Sequence, residues 1–359
     1  MHIPDGYLSP ATCAAFYGAS APFWVTAGRR VRKVVRSRYV PLVAIGAAYC
    51  FIVMMFNVPI PDGTTAHAVG AVVVAVLLGP WAAVIAVSTA LLIQAAFFGD
   101  GGVLAYGANC FNMAIVMPFV GYGVYRFLAR RALLTSRRRA FAAGVGGYIG
   151  INAAALCAAV EFGLQPTLFH RADGTPLYAP FHLSQSVPAM LLAHLAVAGV
   201  VEFALTAGIV AYLQRANVPL LRINHRAAPD GGAGPGAPRR LGWRWGVIGL
   251  AVMAALTPLG LVAPGGAFGE SAPKDLQLER YHLNAVPSGL RHYAGFWHHA
   301  LFNGYDFGHD KHPTVGYLLS AAVGMAAIAT VVLAFVALGR FIRSRRTPED
   351  EHTEMRAAA

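Results

Sequence analysis

Long apolar runs separated by short polar connections dominate this sequence. Because the hydrocarbon core of a bilayer is about 30 Å thick, a helix needs about 20 apolar residues to cross it. Runs of about this length predict nine transmembrane helices, at 8–28, 40–57, 66–79, 80–98, 103–128, 140–162, 185–213, 246–264 and 315–342. Only Gly79-Pro80 separates the third run from the fourth, which predicts a tight turn between two helices; one long re-entrant segment is the alternative.

Basic residues indicate how these helices are oriented. Of the 28 Lys and Arg residues, 23 fall in alternate connections, at 29–38, 126–139, 215–244 and 340–359. Cytoplasmic connections carry the excess of Lys and Arg. The sequence therefore predicts an all-α polytopic membrane protein with its N-terminus outside and its C-terminus in the cytoplasm. Ten of the 13 histidines then lie on the outer side.

Composition supports the membrane assignment. The chain of 359 residues is 57% hydrophobic and only 12% charged, whereas soluble domains average about 25% charged residues. The net charge of +12 is accounted for by orientation and by anionic membrane lipid, so nucleic acid is not expected as a partner. The four cysteines stand singly in apolar runs, which is typical of small buried hydrophobic residues.

A Gly/Pro/Ala-rich stretch, AAPDGGAGPGAP at 227–238, divides the chain. Such a composition cannot build a core and predicts a flexible cytoplasmic linker. We therefore predict a seven-span module at 1–215, a linker at 216–245, a two-span module at 246–345, and a disordered tail at 346–359.

The first residues carry the most specific chemistry. The amine of Met1, the amide nitrogen of His2 and the Nδ1 atom of His2 can bind one ion through two fused chelate rings. The amide nitrogen must lose its proton to bind, and late first-row ions with planar nitrogen coordination, chiefly Ni(II) and Cu(II), favour this. Pro4 and Gly6 shape the turn that follows. A neutral histidine is the best fourth ligand.

His67 is a candidate for that ligand, because it lies at the predicted outer end of the third helix. A polar residue at the membrane edge, with no metal, is the alternative interpretation. Amine and imidazole bind metal only without their extra protons, so affinity is expected to fall below about pH 6.5.

Four motifs resemble the CbiM/NikM family of substrate-capturing membrane subunits. They are Met1-His2-Ile3-Pro4-Asp5-Gly6-Tyr7-Leu8-Ser9-Pro10, Gly-Thr-Thr-Ala-His-Ala-Val-Gly-Ala at 63–71, Leu-Ile-Gln-Ala-Ala-Phe-Phe-Gly-Asp-Gly-Gly at 92–102, and Gly-Ala-Asn-Cys-Phe-Asn-Met-Ala at 107–114. The resemblance implies capture of Co(II) or Ni(II) as substrate for an energy-coupling-factor transporter, with Met1, His2 and His67 as ligands. It also implies as partners an energy-coupling transmembrane subunit and ATPase subunits. The two-span part resembles the small accessory component, although the Pro-Asp-Gly-Leu-Glu signature of the commonest fused version is not found.

Several polar residues are candidates for supporting roles. Asp5 and Asp62 are candidates to offset the charge of the bound metal, with a turn-capping role as the alternative for Asp5. Asn109 and Asn112 are candidates to bind the N-terminal loop or a ligand imidazole, with helix–helix hydrogen bonds as the alternative.

Other polar groups have less specific interpretations. Glu202 and His194, predicted within the seventh helix, are best interpreted as polar contacts inside the bundle or with a partner subunit. A set of outward histidines is a candidate path for metal, or ordinary loop polarity: His282, His292, His298, His299, His309 and His312.

Other function classes fit the sequence less well. The sequence has no G-x-x-x-x-G-K-[ST] motif, so ATP hydrolysis must come from other chains. An intramembrane metalloenzyme would need a motif such as H-E-x-x-H, which is absent, and a four-nitrogen plane leaves only axial positions for chemistry. A membrane metal sensor or scaffold would need a cytoplasmic signalling domain, and the longest predicted inner segment is the linker.

Overall fold

The computed structural model describes residues 1–35, 40–60, 64–225, 243–263, 266–306 and 311–344. Eleven helices and two strands organise these residues. The helices are α1 (Pro10–Val35), α2 (Val40–Met54), α3 (Ala71–Leu78), α4 (Pro80–Phe98), α5 (Tyr106–Ala129), α6 (Arg137–Leu168), α7 (Leu183–Ala216), α8 (Val218–Arg222), α9 (Trp243–Leu256), α10 (Ser288–Tyr293) and α11 (Pro313–Ser344). One antiparallel hairpin joins β1 (Val58–Ile60) to β2 (Thr64–Ala66). Short 3₁₀ turns cover Thr257–Val262, Pro273–Asp275, Leu278–Tyr281 and Asn303–Tyr305.

Six helices among the described residues are long and apolar enough to cross a membrane: α4, α5, α6, α7, the segment Arg244–Val262 and α11. The prediction of an all-helical membrane protein is therefore confirmed, while the count of nine transmembrane helices is not. The three remaining predicted spans coincide with α1, α2 and α3. With a rise of 1.5 Å per residue, the 15 residues of α2 reach about 22 Å and the 8 residues of α3 about 12 Å.

The predicted third helix, 66–79, differs from the structure because its first residues belong to other elements. Ala66 ends strand β2, and residues 67–70 form a turn before α3 begins at Ala71. Gly70 makes this turn with φ of 75°, and a Cβ atom there would lie 2.4 Å from the ring of Tyr49. Gly79, with φ of 93°, then separates α3 from α4, and Pro80 opens α4. Glycine tolerates both backbone conformations, and proline suits the first turn of a helix.

Small residues allow the central helices to approach closely. A Cβ atom on Gly146 of α6 would lie 2.5 Å from the carbonyl oxygen of Gly121 in α5, and one on Gly150 would lie 2.7 Å from that of Met117. Contacts of this kind between small residues are typical of helices packed within membranes. Ser136 caps the start of α6 by accepting a hydrogen bond from the amide of Arg138 at 3.2 Å.

Residues 217–225, at the start of the predicted linker 216–245, pack against the bundle. Within them α8 follows α7, and the Asn224 side chain donates to the carbonyl oxygens of Ala75 and Val76 at 3.2 Å. The AAPDGGAGPGAP stretch and the tail after residue 344 lie outside the described residues. In the C-terminal part, α9 and α11 pack on α2, and the segment 266–306 between them lies against the N-terminal residues.

The cysteines behave as the sequence predicts. All four are free thiols, and Cys13, Cys50 and Cys110 are buried while Cys157 is half-buried.

Candidate metal site at the N-terminus

The first residues of the chain are buried inside the protein. Met1 and His2 are each 2% exposed, and Ile3 is fully buried. Asn109 on α5 accepts a hydrogen bond from the Ile3 amide at 2.8 Å and donates one to the Ile3 carbonyl oxygen at 3.0 Å. The Gly102 amide also donates to that oxygen, at 2.8 Å. These hydrogen bonds therefore hold the N-terminal segment in one conformation, which a free tail would not have.

Asp5 fastens the same segment to the start of α5. Its carboxylate accepts hydrogen bonds from the amides of Val103, Leu104 and Ala105 at 3.2, 2.8 and 3.2 Å. Burial raises the pKa of Asp5, and these three donors act in the opposite direction. Negative groups are stabilised at a helix N-terminus. Asp5 thus caps the backbone just before α5, distant in sequence, and not the local turn that the sequence offered as an alternative.

His2 and His67 lie side by side, with ring centroids 4.9 Å apart. The Nδ1 atom of His67 is 3.0 Å from the carbonyl oxygen of Ala68 and must donate to it, since a carbonyl only accepts. The Nε2 atom then carries the lone pair, and it is buried with no hydrogen-bond partner among the described residues. Burial, the Met1 ammonium and His2 hold the pKa of His67 well below 6.5. A neutral imidazole with a free, buried lone pair is suited to binding a metal.

The His2 ring is held by Gln94 of α4 and by Asp100 of the loop between α4 and α5. Its Nδ1 atom lies 3.4 Å from Oδ1 of Asp100, and its Nε2 atom lies 3.3 Å from Oε1 of Gln94. The Gln94 amide also donates to Asp100 and to the Tyr305 hydroxyl, at 3.2 and 2.9 Å. Partners of this kind orient ligand imidazoles in metal sites.

Glu270, from the C-terminal part, completes the cluster. Its Oε1 atom is 2.6 Å from the nitrogen of Met1. Ligand atoms of His2, His67 and Glu270 all lie within 4.8 Å of one another. Burial alone would raise the pKa of Glu270, but the Met1 ammonium and His2 reverse this and keep the pKa below its ordinary value. A cavity of about 270 Å³ opens beside these residues and is also lined by Asp100 and Tyr305.

Three π-helical turns begin at, or directly after, buried polar residues. They cover Gln94–Phe98, Cys110–Val116 and His194–Ala198. The first begins at Gln94, the second directly after Asn109, and the third at His194. Such turns insert one residue into a helix and are frequent at functional sites.

The structure thus brings Met1, His2 and His67 together, with Asp5 and Asn109 fixing the segment that carries two of them. Asn112 does not contact the N-terminal loop; its amide donates to Glu161 at 3.0 Å, which is the helix–helix alternative. Asp62 lies outside the described residues. Glu202 accepts hydrogen bonds from the amides of Val69 and Gly70 at 2.9 and 3.0 Å and so holds the turn after His67.

Sequence reasoning missed Gln94, Asp100, Tyr305 and Glu270 as neighbours of the site. Gln94 and Asp100 stand inside one of the motifs quoted above, so the resemblance contained a signal for them. Nothing in the local sequence around Glu270 marks it. Among the histidines predicted to face outward, His298 and His299 contact each other at 4.1 Å between ring centroids, and His309 lies outside the described residues.

Comparisons with known proteins point to one family. The sequence model of the CbiM family, described as "Cobalt uptake substrate-specific transmembrane region", matches residues 2–220. The "Fused nickel transport protein NikMN" of Rhodobacter capsulatus is 49% identical over 340 residues, covering 91% of this chain and 95% of that protein. The "Probable fused nickel transport protein LarMN" of Lactiplantibacillus plantarum is 43% identical over 357 residues, covering 98% and 100%. A solved "transition metal transporter" is 53% identical with a TM-score of 0.57, covering 63% of this chain and 99% of that one.

The fold and these similarities define the class: a multi-pass membrane component of a transporter, and not an enzyme. The chain belongs to the CbiM family. The resemblance drawn from the four motifs is thereby confirmed.

Proposed function

We propose that this chain captures Ni(II) or Co(II) from outside the cell and presents the ion for ATP-driven uptake. The ligands are the Met1 amine, the amide nitrogen and Nδ1 of His2, and Nε2 of His67. The observation that carries the proposal is the unpartnered, buried Nε2 atom of His67 next to the His2 ring. An imidazole held neutral in this position completes a set of four nitrogens. The two fused relatives that cover nearly the whole chain are named for nickel.

Selectivity follows from the ligand set. Ca²⁺ and Mg²⁺ prefer shells of oxygen ligands and are excluded by four nitrogens. Zn²⁺ prefers a tetrahedron, which a planar set disfavours. Cu²⁺ binds such sites well, so discrimination against it rests on supply and oxidation state. Because the amide proton is lost, a divalent ion becomes a centre of charge +1, and burying this costs less than burying the free dication.

Transport requires other chains. Membership of the CbiM family supports an energy-coupling transmembrane subunit and ATPase subunits as partners. The basic connections predicted to be cytoplasmic are candidates for contact with those subunits and with anionic lipid.

The test compares the native chain with a chain that carries a Gly-Ser extension before Met1. The same extension at the C-terminus is the control, and intact-mass measurement establishes the first residue of each preparation. The extension turns the amine into an amide and leaves every side chain unchanged. We expect Ni(II) and Co(II) affinity, measured by calorimetry, to fall at least about 100-fold only in the N-terminally extended chain. Equal affinity of the three preparations would show that the amine is no ligand.

A further inference from the structure

We propose that Glu270 is a metal ligand during capture: it binds the incoming ion together with the imidazoles of His2 and His67, before the N-terminal chelate closes around it. The inference rests on the proposed function and assigns a role to the C-terminal part, which contributes this carboxylate from the segment 266–306.

The geometry of the three side chains fits a common ion. Their ligand atoms lie within 4.8 Å of one another. Bonds of about 2.0–2.2 Å to nitrogen and oxygen place ligand atoms about 3–4 Å apart around a metal, so a small rotation of side chains is sufficient. Two imidazoles and a carboxylate form a familiar three-ligand set that leaves a further position for water.

Exposure suggests the order in which the ligands act. The side chain of Glu270 is 20% exposed, whereas His2 and His67 are 2% and 4% exposed. Glu270 is therefore the ligand of the cluster that a hydrated ion reaches first. A carboxylate also attracts a dication over a longer distance than a neutral imidazole does.

The backbone on both sides of Glu270 is anchored to the CbiM-like module, residues 2–220, which the family model matches. The fold therefore fixes the position of Glu270. The Ser271 carbonyl oxygen accepts a hydrogen bond from the Tyr7 hydroxyl at 2.7 Å. On the other side Gly269 has φ of 78°, and a Cβ atom there would lie 2.7 Å from the ring of Phe162. A residue with a side chain is strained in this conformation, and the close approach leaves no room for one.

More distant contacts hold the rest of the segment against the same module. The Leu177 carbonyl oxygen accepts hydrogen bonds from the amides of Gly289 and Leu290 at 2.8 and 3.1 Å. The indole of Trp297 donates to the carbonyl oxygen of Ala96 at 2.8 Å. These contacts explain why a carboxylate from the C-terminal part can lie beside Met1.

Glu270 is a capture ligand and leaves before the final state. Four nitrogens fill the plane around the metal, so a carboxylate has only an axial position left. The amine of Met1 carries no charge once it binds the metal, and the ion pair with Glu270 is then gone. Release of Glu270 frees its side chain from both the metal and the N-terminus.

A purely structural role makes a different prediction. If Glu270 only neutralised the Met1 ammonium, any anionic side chain of similar reach would replace it, and a neutral metal ligand would not. Glu270→Asp and Glu270→His separate the two roles. Glu279, which is exposed in the same segment, provides the matched control Glu279→Gln.

The first experiment measures the rate of Ni(II) binding to the purified full chain by stopped flow. We expect Glu270→Gln to slow association at least about tenfold, Glu270→His to restore it to within about threefold, and Glu279→Gln to leave it unchanged. Association of Glu270→Gln at the wild-type rate would overturn the proposal. The proposal would also be overturned if Ni(II) associated with Glu270→Asp at the wild-type rate and with Glu270→His as slowly as with Glu270→Gln.

The second experiment uses Zn(II), which does not displace the amide proton and so reports the three side chains alone. We expect Zn(II) to bind weakly to the native chain. Glu270→Gln should abolish this binding, and the N-terminal Gly-Ser extension should leave it unchanged. Zn(II) binding that does not respond to Glu270→Gln counts against the proposal. The N-terminal chelate is tested separately, because its failure appears as Ni(II) binding that the extension does not change.

Discussion

Asn109 binds Ile3 through both ends of its side-chain amide, 106 positions away in the sequence. The oxygen accepts from the Ile3 amide at 2.8 Å, and the nitrogen donates to the Ile3 carbonyl oxygen at 3.0 Å. Both groups are buried, and the hydrogen bonds satisfy the backbone of the residue that directly follows His2. The precision of the proposed metal site therefore depends on a helix residue that is not itself proposed as a ligand.

Replacing Asn109 by Ala is expected to weaken metal binding without unfolding the protein. The change leaves the Ile3 amide without its partner, at a cost of about 1–3 kcal/mol, and the first residues become mobile. We expect Ni(II) affinity, measured by calorimetry, to fall about tenfold or more. Asn152→Ala is the control, since among the described residues the Asn152 side chain donates only to the Tyr148 carbonyl oxygen of its own helix. Equal losses in the two variants would contradict the role of Asn109.

Gly102→Ala is expected to displace the N-terminal segment. A Cβ atom at this position would lie 2.1 Å from Oδ1 of Asp5 and 2.7 Å from its amide nitrogen, so the Asp5 backbone must move. Metal affinity is then expected to fall at least about tenfold. Gly123→Ala is the matched control, because beyond its own helix backbone no described residue lies within 4 Å of its Cβ position. In a helix interior this change stabilises the protein by about 0.5–1 kcal/mol. Unchanged metal affinity in Gly102→Ala would refute the expectation.

His67→Ala is expected to remove one of the four proposed nitrogens. We expect Ni(II) affinity to fall at least about 100-fold and the absorption band of a planar Ni(II) complex to disappear. His170→Ala changes an exposed histidine and should leave both unaltered. A planar spectrum that persists in His67→Ala would show that another group supplies the fourth ligand.

The pH dependence of binding is expected to report two released protons, one from the Met1 ammonium and one from the His2 amide. His67 contributes none near neutral pH, because burial, the Met1 ammonium and His2 keep its pKa well below 6.5 and it is already neutral. Affinity should therefore rise with pH, and its logarithm should change by more than one per pH unit because two protons leave. Titration calorimetry in two buffers of different ionisation enthalpy counts these protons. A slope of about one would mean that the amide keeps its proton.

The sequence by itself determined the membrane class, because apolar content and the lengths of apolar runs do not depend on how helices pack. It also determined the chelating order of Met1 and His2, since one peptide bond sets that geometry. The four motifs were sufficient to identify the family. The bounds of short helices were less predictable. The sequence predicted a helix from residue 66, but Ala66 ends strand β2 and α3 begins only at Ala71, after Gly70 with its positive φ.

Only the tertiary structure decided which polar residues surround the N-terminus. Asn109 and Asn112 are equivalent by sequence, yet Asn109 lies against the N-terminal segment and binds Ile3, whereas Asn112 lies against α6 and binds Glu161. Glu270 lies 269 positions from Met1 and forms an ion pair with it. The pattern of apolar residues indicates whether a residue is buried. The partner of a buried polar group depends on how elements distant in the sequence pack together, and no local stretch of sequence contains that information.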